Sequence, residues 1–293
     1  MDTHNIAFVT DSTSDFPEGV AERLGLHVIP IHIVVDGNDY LHGVTISNQE
    51  VIDHMKNKSD VKTAPPVPGE YSALYERLFT QEKYDKIVSF HVSDILSNCY
   101  KSAKNSLNLL DKKISKNIKI IDSKNASIGQ ALIVKKAVEI VNKYLIFDTL
   151  EDNIDKYMKH CAMLFTIDNL YWLKRAGKTN IFSALIGSSL DIKPIVGLKD
   201  GKLYQNEKRM GIKAAIEEIA DITAKSLDKY KKVTHVWIAH ADAMDNALYL
   251  ESKVKQAMLT EVDDFQIVDI GPTISAHTGP GAIGLAAIPD EPY

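Results

Sequence analysis

The sequence lacks most of the features that assign a chain to a class at once. Its 293 residues hold only two cysteines, Cys99 and Cys161. They lie far apart with no zinc or redox spacing, so both read as free thiols of a cytoplasmic protein. No apolar run is long enough to span a bilayer. Positive charge is not in excess: the net charge is −5, which argues against nucleic acid or an anionic membrane as the main partner. The start, MDTHNIAFVTD, enters a strand-like run with no basic segment before it, so no signal peptide is expected. No G-x-S-x-G occurs, which leaves a hydrolase nucleophile elbow without support.

Two nucleotide motifs are incomplete. HTGPGAIG contains Gly279-x-Gly281-x-x-Gly284, the spacing of a dinucleotide loop. Such a loop needs a helix, a second strand and an acidic residue about 20 positions on, and Tyr293 is the last residue given. Pro280 also removes one N–H from the phosphate cradle. The AGKTN stretch imitates the end of a P-loop, but the first glycine of that motif falls on Trp172. Neither supports nucleotide binding. His240 and Asp242 lack a third ligand at metal spacing, and His27 and His32 read as ordinary strand residues. No cofactor is expected.

What is present is a soluble globular composition, 45 % hydrophobic and 25 % charged, over a length suited to two domains. The first half alternates strand and helix: IAFVTD, PEGVAERLG, HVIPIHIVV, SNQEVIDHMKNK with Ser47 as N-cap, PGEYSALYERLF, KIVSFHVS, SNCYKSAKNSLNLL, IKIIDS and SIGQALIVKKAVEIVNK. Nearly continuous apolar strands between helices predict a mostly parallel sheet covered on both faces. The second half differs. IKPIVGL and KLYQNEKRM are joined by Asp200-Gly201, a strong hairpin signal, inside further strand–helix units. The pattern predicts an α/β fold of two domains, a parallel one over 1–148 and a mixed-sheet one over 149–293.

Polar clusters stand at the carboxyl ends of predicted strands, where open α/β sheets bind ligands. They are TDSTSD, Thr63 in KTAPPVP, HVSDILSN, DSKNASIG and His277-Thr278. Ser14, Asp122 and Ser127 read equally as caps of helices and turns. Thr63 opens a stiff proline-rich loop that would hold its hydroxyl in place.

These clusters, in this order, resemble the DegV family over the whole chain. VTDSTSD, HTGPGAIG, LDIKPI and HVSDILSNCYKSA carry the resemblance. It implies two α/β domains with a lipid between them, as in bacterial fatty-acid-binding subunits that present an acyl chain to a separate fatty acid kinase. The protein would then be a non-catalytic lipid-binding protein. By motif, the carboxylate falls to Thr63, Ser93 and His277, with Ser97 and Thr278 beside them. AMLFTI and IFSALIG would wall the acyl tunnel. Lys178 and Arg209 would meet the kinase, with Lys178 standing where the family usually has arginine. Two further departures are Ala64-Pro65-Pro66-Val67 after Thr63, which removes polar groups, and Asp94, which adds a charge beside the expected head group. Asp94 keeps a second reading open: an enzyme on a small polar or phosphorylated substrate, with Asp11, Asp94 and His277 as acid–base groups.

Overall fold

The structure, a computed structural model, describes residues 5–144, 147–175 and 191–291. The first elements are β1 (Ile6–Asp11), α1 (Val20–Arg23), β2 (Leu26–Ile29), β3 (His32–Val35), β4 (Asn38–Leu41), α2 (Asn48–Lys56) and β5 (Val61–Ala64). Then come α3 (Pro68–Thr80), β6 (Lys86–His91), α4 (Cys99–Ser106), α5 (Lys112–Ser115), β7 (Ile118–Asp122) and α6 (Ser127–Tyr144). Next are α7 (Leu150–His160), β8 (Ala162–Thr166), α8 (Leu170–Arg175), β9 (Ile192–Lys199), β10 (Lys202–Met210) and α9 (Ile212–Leu227). The chain ends with β11 (Lys232–His240), α10 (Met244–Ala257), β12 (Glu261–Asp269), α11 (Pro272–Thr278) and β13 (Ile283–Pro289).

The fold is α/β, with a parallel sheet in the N-terminal part and a mixed sheet in the C-terminal part. Among the described residues the parallel sheet runs β2-β1-β6-β7, and the mixed sheet runs β10-β9-β8-β13-β11-β12 with only β11 and β12 parallel. A small antiparallel sheet, β4-β3-β5, accompanies them. It arises where one strand was expected over HVIPIHIVV. Pro30 has no N–H to donate to a ladder, so the chain leaves the parallel sheet after Ile29 and starts a new one at His32. The helix expected over PEGVAERLG shrinks to α1, since Pro17 and Gly19 (φ 70) keep the preceding residues in a turn.

The layers follow from side-chain periodicity. In β11, Val236 and Ile238 face a core with Ile216 and Ile219 of α9 and Leu250 and Val254 of α10. Trp237 and Ala239, one step out of phase, face the opposite core. There they meet α6, 13 of whose 18 residues are buried. Such an all-round apolar helix must be covered on every side. Phe90 of β6 and Ala286 of β13 belong to the same core, so α6 lies between the two sheets. The far face of the parallel sheet is covered by Tyr71 and Tyr75 of α3 and Ala103 of α4. The sheets therefore face each other across α6, and the space beyond its N-terminus is left for a ligand.

Candidate ligand-binding site

A cavity of about 390 Å3 opens there. The mixed sheet supplies an apolar floor that includes Met163, Phe165, Leu198, Leu203 and Ala239. Thr63, Ser97, His277 and Thr278 add polar groups to its walls. The size fits small-ligand pockets, roughly 300–1,000 Å3, which are mostly apolar with a few placed polar groups.

Thr63 and His277 meet, with Thr63 Oγ1 2.9 Å from His277 Nε2. Thr63 stands in β5, paired with Ile33 of β3, so strand pairing rather than the proline-rich loop holds it. His277 rides on α11, which begins with proline at its first turn and ends at Gly279. Gly279 has φ 76, and a Cβ there would lie 2.0 Å from Trp172 Cδ1. Only glycine permits that turn and that close approach. The order helix, glycine turn, strand is the reverse of a dinucleotide loop. With its proton on Nε2, His277 donates to Thr63 and leaves the Thr63 hydroxyl proton for a ligand acceptor.

The other expected residues divide. Ser97 lines the cavity and its Oγ lies 3.1 Å from Cys99 Sγ. Thr278 donates back to the Ile274 carbonyl of α11. Ser93 does not line the cavity: it is fully buried and donates at 2.7 Å to the carbonyl of Gly201, the tip of the β9–β10 hairpin. Asp94 also lies off the cavity, paired with Lys101 at 3.1 Å. Arg209, on edge strand β10, is held by Glu218 and Glu207. Lys178 and the IFSALIG stretch lie outside the described residues.

Asp11 is fully buried and accepts from the N–H groups of Val92 and Thr13. It also meets His91 Nδ1 at 3.2 Å, while His91 Nε2 lies 2.8 Å from Ser89 Oγ. Burial pushes the Asp11 carboxyl up, but the His91 contact and these donors outweigh it and hold it below the usual range. Ser89, His91 and Asp11 thus imitate a catalytic triad in outline. Yet all three are buried outside the cavity, and the Tyr75 hydroxyl donates to Ser89. The chain is a satisfied core network. Of the acid–base set Asp11, Asp94 and His277, only His277 reaches the cavity. His240 lies 3.5 Å from Asp269, Asp242 pairs with Lys56, and His32 bridges Asp39 and Glu70.

A family profile described as an uncharacterised protein of the DegV family matches residues 5–290. A DegV domain-containing protein of Staphylococcus aureus is 31% identical over 280 residues, covering 96% of this chain and 97% of the relative. The chain belongs to the DegV family. A DegV family protein from Thermus thermophilus, reported for its fatty acid binding, matches with TM-score 0.89 at 26% identity, covering 97% and 99% of the two chains. DegV of Bacillus subtilis, described as a fatty acid binding protein, gives TM-score 0.85 at 26% identity over 98% and 100%. A stearic acid-binding protein of Eubacterium ventriosum gives 0.88 at 25% identity over 98% of each chain. Among the described residues of this DegV chain, no helix is long and apolar enough to cross a membrane.

Sequence reasoning quoted Asp15 and Ser127 in separate clusters but did not bring them together at the start of α11. Asp15, buried, accepts from the Gly271 N–H at 3.0 Å and meets Ser127 Oγ at 2.5 Å. His42 Nδ1 lies 2.7 Å from Thr273 Oγ1, and both Thr273 and Ser127 line the cavity. The only sequence signal was polar residues after consecutive strands, which capping also explains. Ser14 and Asp122 do cap turns: Ser14 donates to the Asp11 carbonyl and Asp122 accepts from the Lys124 N–H.

Proposed function

We propose that this DegV protein binds a long-chain fatty acid, with the acyl chain on the floor of the cavity and the carboxylate at Thr63 and His277. The observation that carries the reading is this donor pair set in the wall of a mostly apolar cavity. A buried carboxylate is costly unless donors satisfy it; the Thr63 hydroxyl, whose proton is left free when His277 donates to it from Nε2, and the Ser97 hydroxyl both line this cavity. The tail needs only a dry apolar surface. Of the acid–base set Asp11, Asp94 and His277, both carboxylates lie off the cavity, which supports a carrier rather than a catalyst. The related structures described as fatty acid binding proteins point the same way.

The carrier is cytoplasmic and hands its ligand to a kinase subunit that phosphorylates the carboxylate, with Arg209 and Lys178 as docking cations. Arg209 suits docking because it stands on an edge strand with 37% of its side chain exposed. Native mass spectrometry of protein purified from bacterial cells tests the ligand. A single adduct of fatty-acid mass is expected. A clean unliganded mass, with no binding of added oleate or palmitate, refutes the reading.

A further inference from the structure

Ser127 occupies an unusual position. It is the first residue of α6, it lines the cavity, and it has φ 51, a left-handed conformation that a non-glycine residue adopts only when its surroundings impose it. Its hydroxyl lies between the cavity and the buried carboxyl of Asp15, 2.5 Å from Oδ2. The other carboxyl oxygen is fixed by the Gly271 N–H. Asp15 therefore cannot swing away, and Ser127 has one proton to place.

The direction of that proton depends on Asp15. An ionised carboxylate only accepts, so Ser127 must donate to it and turns lone pairs toward the cavity. A protonated Asp15 donates to Ser127 Oγ, and the serine proton turns into the cavity. Burial pushes Asp15 up to about 7, against the Ser127 and Gly271 bonds, and the charge of Asp11 adds to the rise. Across Gly271, His42 approaches the same point: a Cβ on Gly271 would lie 2.6 Å from His42 Nε2 and 2.7 Å from Asp15 Oδ1. Burial holds His42 down at about 4, so it brings no positive charge to Asp15 near neutrality. The remaining titratable group on α11 is His277, two turns further along.

We propose that Ser127 is a second carboxylate-binding residue of the cavity, switched by a proton on Asp15: protonated Asp15 turns the Ser127 hydroxyl out as a donor, and ionised Asp15 withdraws it. This rests on the reading that the ligand is a fatty acid. Binding of the anion then draws one proton from solvent onto Asp15, and release returns it. Thr273, on the same face of α11 as His277 and also lining the cavity, joins the two polar points.

The test measures the Kd of oleate from about pH 6 to about pH 8.5 for wild type, Asp15→Asn and Ser127→Ala, with oleyl alcohol as a probe lacking the charge. Asparagine mimics the protonated acid, donating to Ser127 through its amide and accepting from Gly271. Wild-type affinity for oleate should fall above neutrality, by up to about tenfold per pH unit for one linked proton. Asp15→Asn should keep the low-pH affinity throughout, Ser127→Ala should stay at the weaker level, and the alcohol should show no trend. Calorimetry of the wild type near pH 8 in two buffers of different ionisation enthalpy should find proton uptake on binding, whether or not the variants fold. One common pH profile in all three proteins, or no proton uptake, overturns the switch alone. If no protein binds oleate at any pH, the fatty acid reading fails and the switch with it.

Discussion

Replacing Thr63 with valine removes one hydroxyl and keeps the β-branched shape that suits β5. The change strips the His277 imidazole of its partner at 2.9 Å and takes from the ligand the proton that the pair leaves free. A buried charged acceptor one donor short loses about 1–3 kcal/mol. At about 1.4 kcal/mol per tenfold, Kd rises between roughly 5- and 150-fold. A buried methylene contributes about 0.8 kcal/mol, so the loss equals about one to four methylenes of tail, and a long chain still binds measurably. Displacement of a fluorescent fatty acid by oleate gives Kd, and a thermal melt checks the fold. Oleyl alcohol, which has no charge to satisfy, should discriminate far less between the two proteins. A folded Thr63→Val variant whose oleate Kd stays within about twofold of wild type would place the head group elsewhere.

Other outcomes follow from the same contacts. Leu203→Trp, facing the cavity opposite Leu198 in the hairpin, should penalise long acyl chains more than short ones in a chain-length series; uniform affinities would mean the tail avoids this floor. Ser93→Ala leaves the buried Gly201 carbonyl without its serine donor, so a denaturant titration should show a loss of about 1–3 kcal/mol while oleate Kd moves less than in Thr63→Val. The reverse pattern would make Ser93 a ligand contact. Asp15 binds its proton more tightly folded, at about 7 against the usual 3.8, so its stabilisation is full below about pH 4 and is lost as pH rises through about 7. At ~1.4 kcal/mol per pKa unit the loss is on the order of 4 kcal/mol. Asp15→Asn should therefore match wild type near pH 4 and exceed it near pH 8; equal denaturation midpoints at both would refute the burial argument.

Local signals were legible in the sequence. Ser47 forms the capping box with Glu50 that its position before an apolar run suggests, and Asp200-Gly201 closes the two-residue hairpin between paired Lys199 and Lys202. Both depend on residues a few positions apart. The insertion of β13 between β8 and β11 was not legible, because strand order is decided by long-range packing that no window contains. The same holds for the site. Thr63 and His277 lie 214 positions apart; each stood out as a polar residue after a predicted strand, but only the family resemblance joined them into one site. Ser127 looked like a cap because its partner, Asp15, lies 112 positions away. Ser93 and Ser97 share one short loop, yet one turns to the hairpin tip and the other to the cavity, a choice that loop sequence alone cannot express.

Asp94 is the departure that most invited an enzymatic reading, and its surroundings explain why a lipid site can tolerate it. A carboxylate facing a bound carboxylate would repel it, and one of the two would take up a proton. Asp94 instead points to Lys101 on α4 at 3.1 Å, with 29% of its side chain exposed. Its N–H donates to Asp122, which ties the backbone of this loop to the turn after β7 and away from the cavity. Pairing and solvent together screen the charge. Asp15 stands beside the polar wall through Ser127, and burial pushes its carboxyl up to about 7. The proposed carboxylate site is thereby spared the charge of Asp94, which Lys101 pairs, and below about pH 7 that of Asp15. A carrier needs that arrangement and a general base does not, since a base must stay ionised within reach of its substrate.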